Sequence, residues 1–290
     1  MKTVSLVLGS GGARGLAHIG VIRWLEENGY AIRCIAGSSI GAVVGGIHAA
    51  GKLDEFEAWV RAISRVDIVT FLDVAWGKGG LVKGDRIINA LIDLVGDVSI
   101  EDLPLRFTAV ATDLNNQKEV WFSTGKLFDA IRASMSVPLI FTPFSMGGID
   151  FVDGGVLNPV PVAATIGADA DLTVAVYCGG ISLKANKPIA RSYMPSMFPS
   201  GLQDRIRSFM QRLQTSEGEE GGRDWGTYEV AIQSFETMQN TIAQQKLAAY
   251  PPDALIEIPR NACRTLDYDR AAELIEIGYE RAAACFEAIA

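Results

Sequence analysis

The chain has 290 residues, 49% of them hydrophobic, with two histidines, four cysteines and a formal net charge of −8. That charge argues against nucleic acid as a partner, and cysteines scattered at 34, 178, 263 and 285 without CxxC spacing argue against disulfides or zinc. The length suits one good core, or a core with an appendage; with no apolar run long enough for a membrane span or a signal h-region, the expectation is a soluble cytoplasmic protein.

Residues 4–8 read as a strand and lead into the cluster Gly9-Ser10-Gly11-Gly12-Ala13-Arg14-Gly15. A helix-like run over 16–28 follows, which Gly29 can end. Consecutive glycines at a strand-to-helix turn leave backbone N–H groups bare, at the positive end of a helix, where an anion can approach. The cluster is a poor dinucleotide fingerprint, because Arg14 stands where a third glycine would be needed. A Walker loop is equally absent, since no Gly-Lys-Ser/Thr closes the turn.

The next strand-like run, 33–36, meets Gly37-Ser38-Ser39-Ile40-Gly41, and an apolar helix-like run follows to Ala50, with Gly51 as its stop. Strand, Gly-x-Ser-x-Gly, helix is the context of a nucleophile elbow. Gly37 and Gly41 remove Cβ atoms at the sharp turn, and Ser39 is lifted into the open at the helix N-terminus. Ser38 is the x of the pattern and is expected to point elsewhere.

Two anion-friendly turns at strand ends, one carrying a serine, suit acyl transfer, and acyl transfer needs a base. His48 lies nine residues past Ser39 on the same predicted helix, roughly 13 Å along its axis. His18 sits in the first turn after the glycine cluster, where packing or capping is the expected role. No histidine follows residue 48, so a Ser-His-Asp triad is excluded, and the base must be a carboxylate or a lysine.

Further along, 54–64 and 85–95 read as helices with Asp54 and Asp85 as N-caps, and 107–112 and 120–122 as strands joined through Asn115-Asn116. Residues 148–152 alternate like a short strand that Asp153-Gly154-Gly155 turns at its end. Asp153 is thus a candidate partner for Ser39; an Asp-Gly hairpin turn is the plain alternative, and Asp150 and Asp113 are rival acids. A strand at 172–177, a helix around 228–249, a strand at 254–258 and a closing helix from Asp267, with Leu274, Ile277 and Gly278 on one face, complete an α/β pattern without internal repeat.

Gly-Gly-x-Arg-Gly at Gly11 to Gly15, Gly-x-Ser-x-Gly at Gly37 to Gly41, and Asp153-Gly154-Gly155 together resemble the patatin-like phospholipases. The stretch Ala133-Ser134-Met135-Ser136-Val137-Pro138, with Phe141 and Pro143, resembles the family's text before its Asp-Gly motif. The likeness covers about 3–180, with a fainter echo over 251–284. It implies a three-layer α/β/α fold with a mostly parallel sheet. It also implies a cofactor-free serine acyl hydrolase of lipid esters with a Ser39–Asp153 dyad. Gly11, Gly12, Ala13 and Arg14 then form the oxyanion hole. A general esterase or acyltransferase on small esters, or a regulator that keeps the fold, are the other classes such a chain could serve. Ser10 departs from the family, where many members carry glycine. Arg14 has two readings, a cation near the site or an anchor that fixes the loop by an ion pair. A free aspartate near pKa 4 is a poor base for serine, so the dyad requires desolvation of Asp153 or strong oxyanion stabilisation.

By organisation, 1–183 reads as the catalytic core, 184–224 as an insertion or lid, and 225–290 as helices and a strand packed on the same domain. Within 200–213, Ile206, Phe209, Met210 and Leu213 follow helical spacing, while Arg205, Arg207 and Arg212 lie off that face. Across 184–213 this is a basic segment on an acidic chain. Its readings are peripheral contact with a membrane, or packing on the domain or on a second copy in a homo-oligomer. If it meets lipid, replacing Phe209 and Met210 by Ser, or Arg205 and Arg207 by Glu, weakens co-sedimentation with anionic vesicles and leaves turnover of a soluble short ester intact. Unchanged sedimentation would return the segment to packing.

Overall fold

The computed structural model describes residues 2–64, 82–182 and 226–289. The expected insertion at 184–224, with its basic amphipathic segment, lies outside the described residues. Contact density divides the chain into two units. One comprises Met1–Ser182 with Gln239–Ala290; the other is Leu183–Met238, whose described part is residues 226–238.

In the first unit the elements alternate as β1 Lys2–Leu8, α1 Ala17–Glu27, β2 Tyr30–Ser38, α2 Ile40–Ala49, α3 Leu53–Ala62 and α4 Asp85–Val95. They continue as β3 Arg106–Asp113, β4 Lys118–Phe122, α5 Leu127–Ser134, β5 Phe144–Met146, β6 Ile149–Asp153 and β7 Leu172–Gly180. The chain ends with α6 Thr227–Ala249, which enters this unit at Gln239, then β8 Ala254–Pro259 and α7 Ala271–Ile289. Hydrogen-bonded neighbours in the sheet follow the path β5-β6-β3-β2-β1-β7-β8, with β4 also on β3. The run from β3 through β2, β1 and β7 to β8 is parallel, and β4, β5 and β6 are antiparallel.

Alternation along the central strands explains why both faces are covered. Val4, Leu6 and Leu8 of β1 and Val174 and Val176 of β7 join the large core formed with α1, α2 and α7. Their neighbours Val7, Ala175 and Tyr177 point the other way, into a smaller cluster with Val160, Val162 and Ala243 of α6. The result is the expected three-layer arrangement. Cys34 and Cys178 are buried, as strand positions in such a sheet should be.

Several boundaries differ from the sequence reading, for local reasons. β2 begins at Tyr30 rather than 33, directly after Gly29 turns the chain at φ 79°. A 3-10 turn, Gly12–Leu16, precedes α1, so the helix proper starts at Ala17. Neither expected acidic N-cap holds. Lys52 and Gly84 occupy those positions, and Asp54 and Asp85 sit in the first turn, where a negative charge still favours the helix dipole. The helix α5, unread in the sequence, is buried on nearly every residue.

Helices α1 and α7 meet through glycines. A Cβ on Gly278 would stand 1.9 Å from the Ala17 carbonyl oxygen, and one on Gly20 would stand 1.8 Å from that of Ile275. Gly278→Ala must therefore push the helices apart, and a destabilisation of about 1–3 kcal/mol is expected, read as a lower urea midpoint. An unaltered midpoint would contradict this packing.

Candidate active site

The register of β3 explains how residues distant in sequence meet. β4 pairs with Ala109 to Asp113, β2 with Arg106 to Val110, and β6 with Ala111 to Asp113. The overlaps force β2 and β6 onto the same edge of β3, end to end, with β4 on the other edge. Ser38 faces Val110, and Asp153 faces the next residue, Ala111. The chain after β2 and the end of β6 therefore come together at one point of the sheet.

Ser39 sits there as the N-cap of α2, with φ 57° and ψ −125°. This is a strained backbone for a residue with a Cβ, typical of a sharp strand-to-helix elbow. Gly41 is obligatory beneath it, because a Cβ would lie 2.0 Å from the Leu8 carbonyl oxygen, and Gly37 meets the Gly41 carbonyl just as closely, at 2.3 Å. Ser38 does point elsewhere: its buried Oγ accepts a 3.2 Å hydrogen bond from the Ser10 hydroxyl. Ser10 thereby braces the inner side of the elbow.

Asp153 is 1% exposed and ends β6, and a 3-10 turn over Gly154–Val156 follows directly. The hairpin alternative falls away, because the β5–β6 turn is made by Gly147 and Gly148, both at positive φ. Its Oδ1 accepts a 2.6 Å hydrogen bond from the Gly155 amide. Oδ2 has no well-formed hydrogen bond among the described residues, yet the Ser39 hydroxyl lies close enough to stabilise the carboxylate charge. Burial dominates, and it pushes the Asp153 carboxyl up from 3.8 to about 7; the Ser39 and Gly155 contacts oppose the rise. Gly154 packs against the Val110 carbonyl and the Ser38 hydroxyl, and Gly155 against Ser10, so both motif glycines make room for the neighbouring turns.

The rival acids are occupied. Asp113 accepts from the Asn116 amide at 2.9 Å and its side chain at 2.8 Å, which holds the β3–β4 turn and lowers its pKa. Asp150 bonds Ser145 at the exposed β5–β6 hairpin. The histidines stand aside as well. Buried His18 donates through Nε2 to the Gly9 carbonyl at 2.8 Å, and desolvation drops its pKa to about 4. His48 is pushed down to about 4 by burial and by Arg23, so its 3.6 Å contact with Glu26 is a contact of the neutral ring.

Several amides of the glycine-cluster loop are already spoken for. The amides of Gly9, Ser10 and Ala13 are engaged with the carbonyls of Val176, Pro159 and Thr265, at 3.0, 2.8 and 2.8 Å. Ala13 therefore drops out of the expected oxyanion set, since its only amide hydrogen already serves the loop after β8. The amides of Gly11 and Gly12 have no hydrogen-bond acceptor among the described residues. Gly12, at φ 56°, also lies under Thr265, where a Cβ would come within 2.6 Å of that residue's carbonyl oxygen. Arg14 anchors this loop through backbone carbonyls. Its Nε donates to Gly11 O at 3.1 Å and its Nη1 to Arg260 O at 2.9 Å. A trans peptide points its carbonyl and amide in opposite directions, so Arg14's grip on the Gly11 carbonyl sets the direction of the Gly12 N–H. Gly15 fits against Ile40, and this seats the loop on the start of α2.

Among the described residues no group of three or more His, Cys, Asp or Glu is gathered as for a metal ion, and no helix is long and apolar enough to cross a membrane. Sequence reasoning missed Ser134, whose hydroxyl accepts the Ser39 amide at 2.9 Å, and the loop 260–265 that holds Gly12, Ala13 and Arg14. Spacing offers no signal for either, since both come from distant elements.

The model of the patatin-like phospholipase family matches residues 6–166, a span that contains every motif residue of this site. The chain belongs to that family. An uncharacterised NTE family protein of Mycobacterium bovis is 39% identical to this patatin-like chain, over 98% of it and 91% of the relative. The lysophospholipase nte1 of Emericella nidulans is 32% identical over 188 residues, which are 62% of this chain but 12% of that much longer protein. Among solved structures, VipD from Legionella pneumophila aligns over 99% of this chain and 67% of its own, with a TM-score of 0.49 and 15% identity.

The elevated carboxyl in this patatin-like site has a consequence for stability. A group protonated more readily when folded stabilises the fold fully below its unfolded pKa, and that contribution is lost as pH rises through the folded value. The window here runs from 3.8 to about 7. Asp153→Asn removes the burial of a charge, so its stability advantage over the wild type grows from pH 4 to pH 8, by up to ~4 kcal/mol. Denaturant melts at the two pH values measure this, and an advantage independent of pH would contradict a buried, elevated carboxyl.

Proposed function

We propose that this chain is a serine acyl-ester hydrolase of lipid substrates, of the phospholipase A or lysophospholipase type, working with Ser39 and Asp153. The observation that carries the reading is the buried Asp153 carboxylate, with one oxygen held by Gly155 and the other left to the Ser39 hydroxyl at the elbow. A carboxyl near pH 7 is a far better base for a serine than one near 4, because its protonation state and its affinity for the proton are matched to neutral pH.

In this mechanism Ser39 Oγ attacks the ester carbonyl carbon as Asp153 Oδ2 takes the hydroxyl proton. The negative charge that develops on the carbonyl oxygen is received by the amides of Gly11 and Gly12, near the N-terminus of α2. Collapse of the tetrahedral intermediate breaks the ester C–O bond. The leaving alcohol takes the proton back from Asp153, and the acyl group remains on Ser39. Water, deprotonated by Asp153, then attacks the acyl-enzyme; the bond between Ser39 Oγ and the acyl carbon breaks, Oγ takes the proton back from Asp153, and the fatty acid leaves. The lipid class rests on family membership and on relatives named lysophospholipases, which support it without fixing head group or acyl position.

A fluorophosphonate probe is expected to label Ser39, with labelling lost in Ser39→Ala and kept in Ser38→Ala. Asp153→Asn should lower turnover by ~10²–10⁴-fold, the range for removal of a general base, while folded His18→Ala and His48→Ala keep substantial activity. In the wild type kcat/KM should rise with pH, with a midpoint at about 7, as Asp153 loses its proton. Full activity in Asp153→Asn, or abolition in a folded histidine variant, would assign the base elsewhere.

A further inference from the structure

Ser134, the last residue of α5, is completely buried, and its hydroxyl uses both of its hydrogen-bonding capacities on other elements. It accepts from the Ser39 amide at 2.9 Å and donates to the Val110 carbonyl at 2.6 Å. A serine in a helix can bond back to the carbonyl four residues earlier. Ser136 does so, donating to the Arg132 carbonyl at 2.7 Å, whereas Ser134 reaches across to the elbow and to β3.

We infer that Ser134 is a positioning residue for the nucleophile, and that the turn it opens sets Ser39 and Asp153 in one register. Residues 134–136 touch the backbone amides of both partners, because the Ser136 carbonyl accepts from the Asp153 amide at 2.9 Å. Ser39 stands at positive φ between β2 and α2, and the Ser134 hydroxyl is the acceptor its amide finds there. Val110, the other anchor of that hydroxyl, also abuts Gly154, where a Cβ would lie 2.1 Å from its carbonyl oxygen. One carbonyl on β3 therefore locates the serine through Ser134 and the acid through the glycine beside it.

The turn itself is stiff. The Arg132 guanidinium donates to Ser136 Oγ and to the carbonyls of Lys83 and Thr142, and stands 5.9 and 5.7 Å from the ring centres of Phe141 and Phe144. Displacing Ser134 would let the elbow relax, and Ser134 itself is completely buried, out of reach of substrate. The effect belongs in kcat rather than KM.

This inference rests on Ser39 and Asp153 as the reacting pair, so the test carries its own control. Wild type, Ser134→Ala, Ser134→Cys and Ser134→Thr are compared for kcat and KM on a soluble p-nitrophenyl ester, for the rate of fluorophosphonate labelling, and for thermal unfolding. Ser134→Cys keeps the volume but hydrogen-bonds weakly, whereas Ser134→Thr keeps the hydroxyl. Ser134→Ala and Ser134→Cys are expected to lose about 10- to 100-fold in kcat and in labelling rate with KM little changed, the scale of a small misplacement of a reacting group. Ser134→Thr should recover most of that loss. If Ser134→Ala does not fold, Ser134→Cys with near-wild-type melting decides the matter. Full kcat in Ser134→Cys, or a loss that appears in KM or tracks thermal stability alone, would overturn the positioning role and leave the dyad standing. Absence of Ser39 labelling in the wild type would overturn the dyad, and this inference with it.

Discussion

The arrangement depends on one edge of β3. A strand edge normally serves a single partner, but here β2 stops opposite Val110 and β6 stops opposite Ala111. The end of one strand is thereby set against the end of another that runs the opposite way. Both ends turn away from the sheet at once, the first into α2 and the second into the Gly154–Val156 turn. Side chains at such a junction need no long loop to meet. Their backbone is held by ladder hydrogen bonds up to the last residue, a firmer base for chemistry than a surface loop.

That firmness is bought with local strain and burial. Ser39 takes a backbone conformation that costs of order 1–3 kcal/mol for a residue with a Cβ, and Asp153 is withdrawn almost wholly from water. What sustains them is a set of contacts from several directions: Ser134 and Ser136 from α5 and its turn, Thr112 on the Asp153 carbonyl at 3.0 Å, and Gly155 on its side chain. The burial that raises the carboxyl is also what would suit it to the base role proposed for it. A more exposed Asp153 would ionise at low pH and hold a proton poorly at neutrality.

Much of this was legible in the residues, because strand-to-helix turns announce themselves locally. Gly37, Gly41 and the glycine cluster state that the chain turns sharply there, and the absence of any histidine after His48 disposed of a triad before any geometry was known. What stayed illegible was non-local. Asp153, Asp150 and Asp113 lie within one hairpin-rich stretch of similar composition, and only strand register separates the acid at the β2 junction from the two that hold turns. Ala13 could not be set apart from Gly11 and Gly12 for the same reason: its amide is engaged by the carbonyl of Thr265, near the far end of the chain. Helix α5 escaped notice because it spans only eight residues, Leu127–Ser134, too few for a helical period to stand out from its surroundings.

The part of the chain beyond the family match is not a passive addition. The loop after β8 supplies the Thr265 carbonyl to Ala13, packs Thr265 over Gly12 and offers the Arg260 carbonyl to Arg14. The glycine-cluster loop is thus clasped between the start of α2, where Gly15 meets Ile40, and a segment drawn from the far end of the sequence. In a parallel sheet this follows from strand order: β7 and β8 extend the sheet beyond β1, so the turn after β8 emerges at the same edge as the turns after β1 and β2. Carboxyl ends of adjacent parallel strands collect at one rim of an open α/β sheet, and that rim is where such folds bind their ligands. A glycine-rich loop with two unengaged amides would be floppy alone. Held from both sides, it can present those amides to a developing negative charge without first having to order itself, which is the property electrostatic catalysis requires.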